Sequence, residues 1–270
     1  MKVNFSILCS TCLFNCLLMG QNFENCNSEL VLLFGKIGYY SSYNYNVNDN
    51  ENKSDSLAKY NAAFEKLLLT CTSEHPESLQ ASFKSLDTIS VHINTSPDGN
   101  FRIYSWDTQD GGTMHNFRNL FQYKSNGKTS AKLESADGNG ENPPDPGRLF
   151  FELNEVVSEG KKFYLASSVG IYSSAASNHT IQVFSIEDGK LNDKAALIKT
   201  KTGIRSQLSY TIDLTDPANA KIKLSDYTDL RIDYDQHTKT IILPLINENG
   251  GLTKKKIKYR FDGKYFVKVK

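Results

Sequence analysis

The stretch DTISVHINTSPDGNFRIYSWD, residues 87–107, decides the reading of the fold. Ile89, Val91 and Ile93 alternate with polar residues, then SPDG at residues 96–99 leads into Phe101, Ile103 and Ser105. A period of two places alternate side chains on one face of an extended chain, and Pro followed by Asp-Gly supplies the reversal between two strands. The stretch therefore predicts a β-hairpin.

The same grammar recurs downstream. Asn126 and Gly127 separate residues 121–123 from 129–133, and Glu159 and Gly160 separate 150–157 from 163–169. Asp188 and Gly189 follow residues 181–186, and a turn at 235–239 joins 230–234 to 240–246. Asp262 and Gly263 join 257–261 to 265–269. Successive hairpins predict an antiparallel meander across residues 87–270.

Upstream the period changes. Leu57, Tyr60, Phe64, Leu67, Leu68 and Cys71 recur at steps of three and four, which predicts an amphipathic helix over 56–72 capped by Ser54 or Asp55. Pro76, with Ser73 as cap, opens a second helix carrying Leu79, Phe83 and Leu86 on one face. Residues 54–86 thus read as a helical hairpin, and residues 21–53 as an N-terminal segment and linker ending in a polar run. The fold class is mainly β within α+β: a helical hairpin on a large antiparallel meander. Sandwich and open barrel both fit, with an incomplete propeller as the alternative, and 54–270 reads as one folding unit.

Residues 1–20 carry Lys2, an apolar run over 5–19, and Gly20 before Gln21, the pattern of an export signal cut at that point. The expected location is periplasmic or secreted. The run is short of the roughly 20 apolar residues a membrane span needs, so no transmembrane segment is expected in the mature chain. Cleavage removes Cys9, Cys12 and Cys16, leaving Cys26 and Cys71, whose spacing fits a bridge or two free thiols equally. The formal net charge of +1 offers no field for nucleic acid. Lys254, Lys255, Lys256 and Lys258 read as the solvated start of a strand, with charges protecting a sheet edge.

The densest candidate site is FRIYSWDTQDGGTMH, residues 101–115. Alternation puts Arg102, Tyr104 and Trp106 on one face of a strand, with Asp107, Asp110 and His115 on or beside a Gly-rich loop. Three readings fit: a structural loop; a groove for a glycan, peptide or protein ligand with Trp106 and Tyr104 as stacking surfaces; and an acid–base or hydrolase site with His115 beside Asp107 or Asp110. Oxygen ligands at Asp137, Asn139, Glu141 and Asp145 alternate as a calcium loop requires, but Asn142 and Arg148 stand where an EF-hand needs Gly and Glu. A solvated connection is the expected role, with no metal assigned. No nucleophile elbow, zinc helix, phosphate loop or dinucleotide fingerprint is present, so the sequence identifies no cofactor.

SPDG followed by an alternating strand resembles one repeat of a TolB-type propeller, in which that turn joins two strands of a blade. The similarity covers about fifteen residues and occurs once, without the period of about 40 to 45 residues of propeller blades. A broader resemblance is to exported bacterial proteins of no assigned function. It runs from Tyr60, Asn61 and Phe64 through FRIYSWDTQDGGTMH to the terminal YRFDGKYF, and it implies a shared fold.

Overall fold

The computed structural model describes residues 6–46, 52–134, 145–222 and 230–269, with backbone alone for residues 6–22. The alternating stretch forms β1 (His92–Thr95) and β2 (Phe101–Asp107), paired antiparallel across the SPDG turn. With β3 (Phe117–Ser125) and β4 (Lys128–Leu133) they make a first sheet in simple sequence order. Between β3 and β4, Asn126 and Gly127 both adopt positive φ, of 51° and 78°, the conformation that matches a two-residue turn to the strand twist.

A second sheet is built from β5 (Leu149–Ser158), β6 (Lys161–Ile171) and β7 (Ala176–Glu187), with β8 (Lys190–Asn192) pairing on β7. Its far side is β11 (Gln207–Asp213), so the order is β11-β7-β6-β5. A third, six-stranded sheet holds β9 (Ile198–Thr200), β10 (Gly203–Arg205), β12 (Asp233–Asp235), β13 (Thr240–Ile246), β14 (Leu252–Phe261) and β15 (Phe266–Lys268). Its order is β10-β9-β15-β14-β13-β12, and β15 with β9 is its one parallel pairing.

Alternation sorts side chains between these layers. In β6, Tyr164 and Ala166 join Phe101, Phe121, Phe150 and Phe184 in the core between the first and second sheets. Leu165, one residue out of phase, joins Ile181, Val183, Ile241 and Phe266 between the second and third. A bulge between Phe150 and Glu152 shifts the phase of β5, which returns Leu153 to the same face as Phe150. The architecture is a stack of one helical layer and three open sheets. Among the described residues no sheet closes into a barrel.

The helical layer comprises α1 (Ser6–Tyr40) and α2 (Lys53–Glu74), an antiparallel pair tied by a disulfide between Cys26 and Cys71, whose Cα atoms lie 6.3 Å apart. Leu57, Phe64, Leu68 and Cys71 of α2 are buried as the spacing requires. The second arm differs from expectation. Residues 76–86 form a 3₁₀ turn (Pro76–Leu79) and one short α-turn, α3 (Lys84–Asp87), while the helix opposite α2 is α1. The linker assigned to residues 21–53 is in its first part helical, because Leu30, Phe34 and Ile37 sit at i, i+4 and i+7 and are all buried. α2 begins at Lys53 after Asn52, which makes no side-chain cap, so Ser54 and Asp55 lie inside the helix.

The hairpin covers the outer face of the first sheet, where Tyr104, Trp106 and Leu120 meet Phe34, Phe64 and Leu68. β15 pairs β14 only at Tyr259–Phe261, so the N-terminal half of β14, paired with β13 alone, is a local sheet edge that carries exposed Lys254, Lys255 and Lys256, with exposed Lys258 where β15 begins to cover the strand. Among the described residues no helix is long and apolar enough to cross a membrane.

Candidate functional site

The six residues singled out on β2 and the following loop divide into two groups. Arg102, Tyr104 and Trp106 share a face, as alternation requires, but that face is buried under the helical layer. Trp106 is 1% exposed and packs edge-to-face on Phe64 at 5.4 Å. Tyr104 donates to Gln122 Oε1 at 2.9 Å, and burial pushes its hydroxyl pKa up to about 12 despite the neighbouring Arg102 charge. Arg102 donates to the carbonyls of Ser78 and Ala81 at 2.6 and 2.9 Å and to Thr95 Oγ1 at 2.6 Å. The stacking platform expected at Trp106 and Tyr104 is therefore corrected. Stacking needs an accessible ring face, and the α1–α2 layer occupies it.

Asp107, Asp110 and His115 are brought together at the end of β2. His115 Nδ1 lies 2.6 Å from Asp107 Oδ2, so that nitrogen carries the proton and donates to the carboxylate. Asp107 Oδ1 accepts from the Gln109 amide at 2.8 Å. Asp110 Oδ1 accepts from Thr108 Oγ1 at 2.6 Å and Asn116 Nδ2 at 2.7 Å, which cross-braces the loop. Gly111 is required there, because a Cβ would meet Met114 O at 2.0 Å. From the segment after α1, Ser42 donates to the carbonyls of Gln109 and Gly111. Tyr43 OH stands 3.4 Å from His115 Nδ1, its pKa pushed up to about 12 by burial and by the Asp107 and Asp110 charges. His115 is one-third exposed. Among the described residues its Nε2 makes no hydrogen bond and no serine, threonine or cysteine bonds to the ring.

A second site was not singled out from the sequence. β7 presents Phe184, Gln182 and Asn178 on one face, and the change from apolar to polar marks where the first sheet stops covering the second. There a groove of about 830 Å³ opens over the second sheet. Asn178, Gln182 and the β11 residues Gln207 and Ser209 line it from the second sheet. Glu134 and Arg148 line it from the segments that follow β4 and precede β5. Asp193 and Lys194 come from the connection after β8, Arg205 from the end of β10, and Tyr172 from the residue that follows β6. Gly147 closes in on the first sheet at φ 73°, and a Cβ there would lie 2.4 Å from Phe117 O.

Burial raises the Glu134 pKa, and Arg148 at 3.5 Å and Asn119 Nδ2 at 2.7 Å pull against that rise. Gln182 is 6% exposed. Its Nε2 donates to Asp193 O at 2.6 Å, which fixes the amide's orientation and leaves Oε1 buried without a partner. Such an acceptor costs about 1–3 kcal/mol unless something supplies a donor. The loop and the groove adjoin: the His115 amide donates to Ile171 O at 3.1 Å, one residue from Tyr172.

The sequence signal for this groove was a polar residue, Gln182, inside the apolar run 181–186. Of the calcium-like positions, 137, 139 and 141 lie outside the described residues, and Asp145 lines the groove. No group of three or more metal-ligating side chains stands together among the described residues. No protein-family model matches the chain, and no curated protein matches it.

Proposed function

We propose that this chain is an exported, non-enzymatic binding protein, related to exported bacterial proteins of its kind, whose ligand seat is the groove over the polar end of the second sheet. The observation that carries the reading is a groove lined mostly by polar and charged side chains, with the unpartnered Oε1 of Gln182 buried in its wall. Export is supported by the Lys2-to-Gly20 signal pattern and by the bridge between Cys26 and Cys71, a linkage typical of oxidising compartments. The core residues Leu30, Phe34 and Ile37 follow Gln21, so cleavage there retains them.

Two measurements test this. Intact mass of protein recovered outside the cytosol should correspond to a start at or near Gln21, and a chain retaining Met1 would overturn the export half. Titration calorimetry of the processed chain against neutral sugars, short peptides and organic acids should find binding that Ser209→Trp, which fills the groove, abolishes. Absence of binding across the panel, or binding indifferent to the tryptophan, would overturn the binding half.

A second reading rests on the Asp107–His115 pair. A carboxylate that orients an imidazole leaves Nε2 able to take a proton from water, the arrangement a hydrolase with a general base uses. Hydrolysis of an ester or glycoside by the wild-type chain, lost in His115→Ala, would favour it over pure binding.

A further inference from the structure

We propose that the groove binds an uncharged sugar, a mono- to short oligosaccharide, rather than an ion or a charged peptide. The inference rests on the groove reading above and concerns its ligand class. Glu134, Asp145 and Asp193 are offset by Arg148, Lys194 and Arg205 along the same walls. Several of these charges are already engaged: Glu134 with Arg148 at 3.5 Å, and Asp193 with Lys132 at 3.6 Å. An anion entering the groove meets three carboxyl groups and a cation meets three basic groups, so neither sign gains a net field.

What the walls do offer is directional hydrogen bonding in both senses. Gln182 Oε1 needs a donor, and Arg205 supplies donors beyond the one it directs to Thr202 Oγ1 at 3.0 Å. Ser206 and Ser209 add hydroxyls able to act either way. A sugar hydroxyl donates and accepts at one atom, so one ring can satisfy Gln182 and a basic group together. Tyr172, 38% exposed just after β6, supplies the one aromatic ring along the described lining. Its face can cover the apolar C–H side of a pyranose. The volume of about 830 Å³ lies within the range of small-molecule sites and exceeds what a single metal or phosphate ion needs.

The experiment is titration calorimetry of the processed chain with maltotriose, cellotriose, triacetylchitotriose, trialanine, trilysine and citrate, at low and high salt. The expected result is binding of at least one trisaccharide, little changed by salt because no net charge is neutralised. Tyr172→Ala and Gln182→Met should each weaken it about tenfold or more, the worth of one lost hydrogen bond or platform. Tyr172 is solvent-facing, so its variant remains informative if Gln182→Met fails to fold. Salt-sensitive binding of trilysine, trialanine or citrate in place of the sugars, abolished by Ser209→Trp, would overturn the sugar assignment and leave the groove reading standing. Sugar binding that ignores both substitutions would also overturn it. Failure of every probe to bind would overturn both readings.

Discussion

Replacing Trp106 by alanine removes the largest fully buried side chain of the protein, at the junction of the helical layer and the first sheet. Its ring is 1% exposed, so nearly all of its surface counts as burial. Phe34, Phe64 and Leu68 come from two helices tied by a disulfide, which limits how far they can collapse into the void. The loss should therefore sit within the range of about 3 to 5 kcal/mol measured for large-to-small aromatic changes. Trp106→Phe provides the control. It keeps an aromatic edge against Phe64 and deletes the indole N–H, which is buried without a partner, so part of the packing loss is returned as relief of about 1–3 kcal/mol. Urea unfolding followed by far-ultraviolet circular dichroism should rank the chains wild type, Phe, Ala. The wild-type fluorescence should be blue-shifted and resist aqueous quenchers. A quenchable, red-shifted emission, or an alanine variant as stable as wild type, would refute the placement of Trp106 in the core and reopen the stacking role.

Three further outcomes are expected. His179 is held neutral by burial and by the nearby Arg231 charge, its pKa lowered to about 4, while the unfolded chain takes up its proton near the ordinary 6.5. Its contribution is thus present above pH 6.5 and lost as pH falls from there towards 4, by about 3 kcal/mol at most, and His179→Phe should flatten that part of a stability-against-pH curve. Reduction of the Cys26–Cys71 bridge, which closes a loop of 45 residues, should lower stability by about 3 to 4 kcal/mol in the chain-entropy model, and non-reducing peptide mapping should recover the linked pair. Asp98 of the SPDG turn is partly buried, which alone would raise its pKa, but hydrogen bonds from Lys162, Ser96 and Asn100 outweigh burial and hold the carboxyl well below its usual range. Its stabilisation is present above the ordinary carboxylate pKa and lost as pH falls below it, so acid unfolding should begin at higher pH in Asp98→Asn.

The SPDG turn shows how far local sequence reaches. Pro97, Asp98 and Gly99 specify a reversal between alternating strands because their backbone preferences act within a few residues, and the hairpin stands where the spelling puts it. The remaining strand pairs flanking Asn126, Glu159, Asp188, Asp235 and Asp262 follow from the same short-range chemistry, as does the face of α2. That Asp98 also reaches Lys162 at 2.6 Å and Tyr164 at 3.2 Å, pinning the first sheet to the second, is a contact across more than sixty residues that no local rule encodes.

By itself, then, the sequence determined a mainly antiparallel β chain with a helical hairpin before it, and marked Asp107, Asp110 and His115 as neighbours in a loop. Only the tertiary structure decided which face of β2 meets water. Alternation separates two faces but does not say what covers each, and here helices cover one and a second sheet the other, so Trp106 and Tyr104 belong to a core. It also decided the groove. Glu134, Arg148, Gln182 and Arg205 converge only because the fold brings the segments after β4 and before β5 and the end of β10 over the second sheet beyond its apolar core, where hydrogen-bonding groups replace phenylalanines on the face of β7.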